Sequence, residues 1–356
     1  MLSISMVLKR SYSLLLLLIL ISCQKVEKNV NKRISGFALG TTYSINYSDL
    51  SLSKKVLEKE VDSIINVINL SMSTYISDSD ISKINKGDSL LKIDLHFEKV
   101  YNTASMVWKK TDGYFDPTVG ALVNAYGFGP ESNSSSVSKE ILNEILAYTG
   151  WDKAYLTSEK TIKKTHEKIF FDFNALAKGY TVDVISDHLR SENITSFLVE
   201  IGGEIVAQGL SPKTKKAWKI AIDDPKQSKE RKFIQLISLK NKALATSGNY
   251  RKYKINAETG KRSVHSINPK TGNSFPTEVL SASVLAPTCM IADAFATALM
   301  IMPFEEGKAL IENEADLEAY WIIEDEKGKL KRCFLQAFHW NKVILTFNCN
   351  WNNFFL

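Results

Sequence analysis

Phe171-Asp-Phe-Asn-Ala-Leu-Ala-Lys-Gly-Tyr-Thr-Val-Asp183 is the stretch on which the reading of this chain turns. The apolar run from Ile169 to Phe173 predicts a strand, and Asn174 stands where a helix N-cap belongs. Leu176, Ala177, Tyr180, Val184, Ile185 and Leu189 then recur at helical spacing down to Arg190. A strand feeding a helix N-terminus presents unpaired backbone N–H groups, which favour anions. Lys178 adds a compact cation one turn in. Asp172, just before the turn, is badly placed to receive a phosphate, but suits hydrogen bonds from a ligand or a position near a metal. Taken alone, the stretch serves equally as a plain strand–helix corner carrying one solvated lysine.

The chain has 356 residues, enough for one large or two modest domains with a sizeable core. Its 45 Lys and Arg against 39 Asp and Glu give +6, and losing Lys9 and Arg10 with a leader leaves +4. So weak and dispersed an excess, with no aromatic-and-basic strip, argues against nucleic acid as a partner. Lys9-Arg10 precede an apolar run from Leu14 to Ile21 and then Ser22-Cys23. That is the pattern of a secretory leader too short to span a membrane comfortably. Leu20-Ile-Ser-Cys23 resembles a bacterial lipobox, which implies cleavage and lipidation of Cys23. The expected organisation is a leader at 1–22, a lipidated cysteine with a polar tether at 23–33, and a domain at 34–330. The mature protein is then exported and membrane-anchored through lipid, facing the periplasm or the cell exterior. Cys289, Cys333 and Cys349 remain; an odd number without CxxC spacing argues against a disulfide framework or a zinc site. Cys289 lies in an apolar run and reads as a small core residue.

Along the chain, Ser35 to Tyr47 alternates as a strand, and Lys54 to Leu70 and His96 to Thr111 read as helices. Tyr75 sits in a polar loop, as surface or as a stacking platform. Tyr114-Phe-Asp-Pro-Thr-Val-Gly120 crowds aromatics around an Asp-Pro turn. In Val199-Glu-Ile-Gly-Gly-Glu-Ile-Val206 the paired glycines suggest a bulge or a close approach of backbone to a ligand, and no GxGxxG fingerprint is present. His265 stands alone before a turn, where most histidines are structural. Met290 opens a helix to about Met302 on which Asp293 and Thr297 share a face. Their oxygens suit a hard cation such as Mg²⁺, although solvation alone accounts for such a pair. The rest of that helix is so apolar that it must be buried, and a buried Asp needs a partner, a cation being one candidate. From residue 331 to 356 the chain has no Gly or Pro, few charges and many aromatics and asparagines. This atypical tail reads as an extra strand pair, a partner-binding tail or the product of a shifted frame.

Eight motifs in order, spanning about residues 34 to 330, resemble the ApbE-type FAD:protein FMN transferases. They are Leu39-Gly-Thr41, Ser73-Thr-Tyr75, Gly113 to Gly120, Asp172 to Asp183, Ile201-Gly-Gly-Glu204, Thr246 to Arg251, His265-Ser-Ile-Asn-Pro269 and Ala292 to Thr297. The resemblance implies an α+β fold in which a mixed sheet and flanking helices enclose an elongated FAD site. It implies a Mg²⁺-dependent enzyme that splits FAD and attaches FMN to a threonine of an acceptor flavoprotein, such as a membrane redox-pump subunit or a flavin-domain reductase. By the same resemblance the metal is held by the Ala175 carbonyl, Asp293 and Thr297. Flavin and adenine contacts fall at Leu39, Tyr75, Tyr114, Phe115, Asp116, Asp172, Lys178 and Ile267, and His265 matches the proposed general base. Some relatives have a second Asp where this chain has Ala296, a Met at Leu39 or an acid at Lys178. Hydrolysis of FAD to FMN and AMP, or simple FAD carriage, is the alternative activity.

Overall fold

The single strand expected over Ser35 to Tyr47 is in fact a hairpin, because Leu39 (φ +50°) and Gly40 (φ +74°) both take the left-handed conformation of a tight two-residue turn. The computed structural model describes residues 31–48, 53–131, 137–226, 232–249, 253–255, 262–274, 276–335 and 347–350. The expected leader, Cys23, the tether as far as residue 30, and Arg251 lie outside them. The first hairpin pairs β1 (Asn31–Ala38) with β2 (Thr41–Ser48), so ordered strand begins inside the expected tether. There follow α1 (Lys54–Met72), α2 (Asp80–Asn85), α3 (Leu95–Lys110), α4 (Gly120–Ala125) and α5 (Lys139–Tyr148), a short hairpin of β3 (Ala154–Leu156) and β4 (Ile162–Lys164), and α6 (Ala177–Ser191). Strands β5 (Phe197–Ile201), β6 (Glu204–Gln208), β7 (Trp218–Asp223), β8 (Phe233–Leu239), β9 (Lys242–Gly248), β10 (Tyr253–Ile255), β11 (Arg262–Val264) and β12 (Val279–Ala286) come next. The described chain closes with α7 (Cys289–Ile301), α8 (Phe304–Glu312), β13 (Glu318–Glu324), β14 (Leu330–Leu335) and β15 (Phe347–Asn350).

Nine of these strands form one sheet in the order β1-β2-β5-β6-β9-β12-β13-β14-β15. This is the expected α+β architecture. Where a mixed sheet is implied, every pairing described within it is antiparallel. The tail segment supplies its last two strands, so the sheet runs on past residue 330. Cys333 is disulfide-bonded, against the expectation from the cysteine count, and the residue opposite it in the β14–β15 ladder is Cys349.

Alternation along β6 and β9 explains how the sheet is covered on both faces. Val206 and Ala243 pack toward α1 and α6 in one core, while Ile205, Ala207 and Leu244 pack against Trp218, Ile220 and Leu239 of the β7–β8 ribbon. Glu204 shares the parity of Val206 and therefore belongs to the helix side. Helix α7 lies on β9 and β12, with α3 and α6 also packed against it. That coverage is why Ala292, Ala294, Phe295, Ala296, Ala298 and Leu299 are all buried.

Asp183 on α6 caps α7: its carboxylate accepts the N–H groups of Cys289 and Met290, each at 2.8 Å. Burial pushes Asp183 up to about 6 from 3.8, although the two N–H groups pull it the other way. The native carboxyl thus binds its proton more tightly than the unfolded one, so stability contributed by this group falls as pH rises from 3.8 to about 6. Asp183→Asn is expected to flatten that part of the pH–stability curve and, having no carboxylate to bury, to compare better with wild type above the window than below it. Urea midpoints measured across the window test both effects.

Candidate active site

The segment leading into α6 is fixed by side chains and loops instead of by a ladder. Residues 169–173, expected as a strand, make only an isolated parallel bridge between Phe170 and Val119. The Asn85 amide takes the place of a neighbouring strand, accepting from Phe171 N (2.7 Å) and donating to Phe171 O (2.9 Å). Gly120 N donates to Phe170 O at 3.1 Å, and a Cβ on Gly120 would lie 2.6 Å from that oxygen. The close approach therefore requires glycine. Asn174 does not cap the helix: its own N–H donates to Asp172 Oδ1 (2.7 Å), and the N-cap residue is Leu176. Asp172 is buried, and its N–H donates to Pro117 O at 2.8 Å.

The helix N-terminus does receive an anion, but one from the protein itself. Gly179 N, which an uninterrupted helix would aim four residues back at the Ala175 carbonyl, donates to Asp293 Oδ2 at 3.0 Å. A Cβ on Gly179 would lie 2.7 Å from the Cys289 carbonyl carbon and 2.9 Å from Asp293 Cβ, so α6 and α7 meet backbone to backbone here. Lys178 Nζ lies 2.8 Å from Glu204 Oε1 and 3.4 Å from Asp293 Oδ2. The two acids are shut off from water, with side chains 4% and 2% exposed, whereas the Lys178 side chain keeps 27%. Burial works against the Lys178 ammonium, yet Asp293 and Glu204 outweigh it and raise its pKa. Burial pushes Asp293 up to about 7, with Lys178 opposing and Glu204 adding to the shift. One turn along α7 the Thr297 hydroxyl lies 3.4 Å from that of Ser247 on β9. Cys289, fully buried beside this group, has its thiol pKa raised by burial, which leaves it inert packing.

A second neighbourhood gathers Tyr75, Asp172, Phe128 and His265. The largely exposed Tyr75 donates its hydroxyl to Phe128 O (3.3 Å), and its phenol is pushed up by burial and then by the Asp172 carboxylate. The His265 ring stands edge-on to Phe128, with centroids 6.5 Å apart. Tyr114 is half-buried with Lys270 Nζ 4.5 Å above its ring. Its neighbours turn inward. Phe115 is core, and Asp116 accepts from Thr118 N (2.8 Å), Thr118 Oγ1 (2.6 Å) and Trp151 N (2.8 Å). Ile267 packs with Leu122 and Ile145. These three side chains are committed to packing and loop closure. Leu39 occupies the β1–β2 turn, next to the β5–β6 turn at Gly202-Gly203; a Cβ on Gly202 would lie 2.8 Å from Thr41 Cγ2 and 3.3 Å from Glu204 Oε2.

Among the described residues no three His, Cys, Asp or Glu side chains gather as a metal cluster. What the α6–α7 junction offers is hard oxygen on one helix face: the Asp293 carboxylate and, one turn on, the Thr297 hydroxyl. Two residues carry more of this site than their sequence signal suggested. Glu204 follows a glycine pair, and only strand parity reveals that it points inward; Gly179 stands out only once α7 is seen to cross it.

The ApbE family model matches residues 39–321. The chain is 37% identical over 320 residues to an FAD:protein FMN transferase of Haemophilus influenzae, covering 87% of this chain and 90% of the relative. It is 38% identical over 318 residues to one of Vibrio cholerae, covering 88% and 92%. Among solved structures, the flavin transferase ApbE of Vibrio cholerae superposes with a TM-score of 0.77 at 33% identity, covering 87% of this chain and 99% of that one. The apo flavinyl transferase ApbE of Pseudomonas stutzeri gives 0.77 at 29%, covering 86% and 95%.

Proposed function

The chain belongs to the ApbE family, and we propose that it transfers the FMN part of FAD to a threonine hydroxyl of an acceptor flavoprotein, releasing AMP with the help of Mg²⁺. The observation that carries this reading is the buried group at the α6–α7 junction, where two carboxyl groups share one ammonium, so that ionisation of both leaves a negative charge without a partner. A buried excess charge calls for a cation. Asp293, Thr297 and the Ala175 carbonyl are the oxygens that would hold Mg²⁺. When bound, the metal neutralises charge on the pyrophosphate oxygens.

The remaining work falls to the chain. Lys178, reachable from outside, offers a second positive charge to the pyrophosphate. Tyr75 and Tyr114 present aromatic faces to flavin or adenine, and Asp172 accepts from them. His265 takes the threonine proton as the hydroxyl oxygen bonds to the FMN phosphorus. The bond from that phosphorus to the bridging oxygen breaks, and the electron pair departs with AMP. The same chemistry with water in place of threonine gives free FMN and AMP. Export by the leader and lipidation at Cys23 belong to this reading, since an anchored enzyme meets membrane flavoproteins on its own side.

The test incubates the full chain, held in detergent, with FAD, Mg²⁺ and an acceptor domain, and reads the intact mass of the acceptor. One FMN added per acceptor is expected, with AMP in equal amount, and neither when the acceptor threonine is replaced by valine. AMP with free FMN and no adduct would identify a hydrolase instead. FAD binding with no AMP would leave a carrier.

A further inference from the structure

Glu204 has no part in the chemistry described so far, and its surroundings are unusual. It opens β6 straight after the Gly202-Gly203 turn, is 3% exposed, and faces the helices. Oε1 holds Lys178 at 2.8 Å, closer than the 3.4 Å to Asp293. Among the described residues Oε2 is buried without a hydrogen-bond partner, a costly condition for a carboxylate oxygen unless some state of the protein uses it. An ammonium has three donors and turns freely on its stem. It can therefore leave Asp293 and give a second hydrogen bond to Glu204 with little movement of backbone.

We propose that Glu204 is a positioning residue of the cation site: it draws the Lys178 ammonium away from Asp293 and so keeps that carboxylate open to a divalent cation. The proposal rests on the assignment of Asp293 to the cation site. In the metal-free protein Lys178 is itself the cation on Asp293, and a metal arriving there repels it. Without Glu204 the displaced ammonium would have no buried counter-charge, and it would compete for Asp293 instead. Glu204 thus acts on the metal through Lys178, and that route makes it separable from a ligand.

The experiment titrates Mn²⁺ into the FAD-free full chain, followed by the electron paramagnetic resonance of free Mn²⁺, for wild type, Glu204→Gln, Lys178→Met and the double variant. Glu204→Gln is expected to weaken Mn²⁺ by about tenfold in the wild-type background. In the Lys178→Met background the same change should alter affinity by less than about twofold, since the competitor has gone. Equal weakening in both backgrounds would make Glu204 a ligand or a diffuse field and overturn the proposal. No weakening in either would overturn it too. Glu204→Asp, which retains the charge, should bind Mn²⁺ within about threefold of wild type, and a loss as large as that of Glu204→Gln would count against the proposal. Asp293→Asn is the control for the underlying assignment: if it keeps wild-type Mn²⁺ affinity, the cation site itself is misplaced, whatever Glu204 does.

Discussion

Asp293→Asn is expected to lower FMN transfer by two to three orders of magnitude, about 3–4 kcal/mol of transition-state stabilisation, while leaving the fold intact. Asparagine has nearly the same shape as the carboxylate, and its Oδ1 can still accept from Gly179 N, which lies 3.0 Å from Asp293 Oδ2. What disappears is a buried carboxyl that can ionise and hold a cation. Lys178 then keeps Glu204 as its partner at 2.8 Å, so the ammonium is not stranded. The excess negative charge that calls for a cation is gone. A buried carboxyl pushed up to about 7 is also an expensive group to house. Removing it should hold the melting temperature near that of wild type, even as Mn²⁺ affinity and AMP release collapse together. Retained activity with weak metal binding would place the reaction elsewhere. A fall in melting temperature large enough to explain the lost activity would make Asp293 a structural residue.

How much of this was legible beforehand differs from one element to the next, and for physical reasons. Helix α7 could be read directly, because an almost unbroken apolar helix with one acid in its second turn has few ways to exist except buried with that acid partnered. The pair Asp293 and Thr297 follows from helix geometry alone. The start of α6 could not be read so well. Asn174 has the right chemistry for a cap, but Asp172 two residues earlier takes its N–H first, and the helix begins at Ala177. The β1–β2 turn was hidden because Leu39, not a turn former, carries a positive φ beside Gly40. Phe115, Asp116 and Ile267 sit in motifs that suggest contact with a ligand, yet their side chains answer needs of packing and loop closure that sequence spacing does not distinguish. Glu204 and Gly179 depend on which elements cross, and that is tertiary information.

Gly179→Ala separates local from tertiary control most sharply. On propensity alone the change should help, since alanine in a helix interior is favoured over glycine by about 1 kcal/mol. In this fold the added methyl would collide with the Cys289 carbonyl oxygen and lie 2.7 Å from its carbon and 2.9 Å from Asp293 Cβ. The first two obstacles are backbone and cannot rotate aside, so α6 and α7 must move apart. Separation lengthens the Gly179–Asp293 bond of 3.0 Å and both 2.8 Å bonds from Asp183 to the start of α7. A net loss of about 1–3 kcal/mol is expected, with the melting temperature falling by several degrees. Mn²⁺ affinity should drop as well at temperatures where the variant is still folded, because the carboxylate no longer stands over the helix N-terminus. Gly307 in α8 provides the contrast: a Cβ there would come within 3 Å of Leu299 Cδ2 alone, at 2.9 Å, the far end of a movable side chain. Gly307→Ala should therefore change stability by less than about 1 kcal/mol, with propensity offsetting the small shift of Leu299. If both alanine variants were equally stable and bound Mn²⁺ alike, the close crossing of α6 and α7 would not be what holds Asp293 in place.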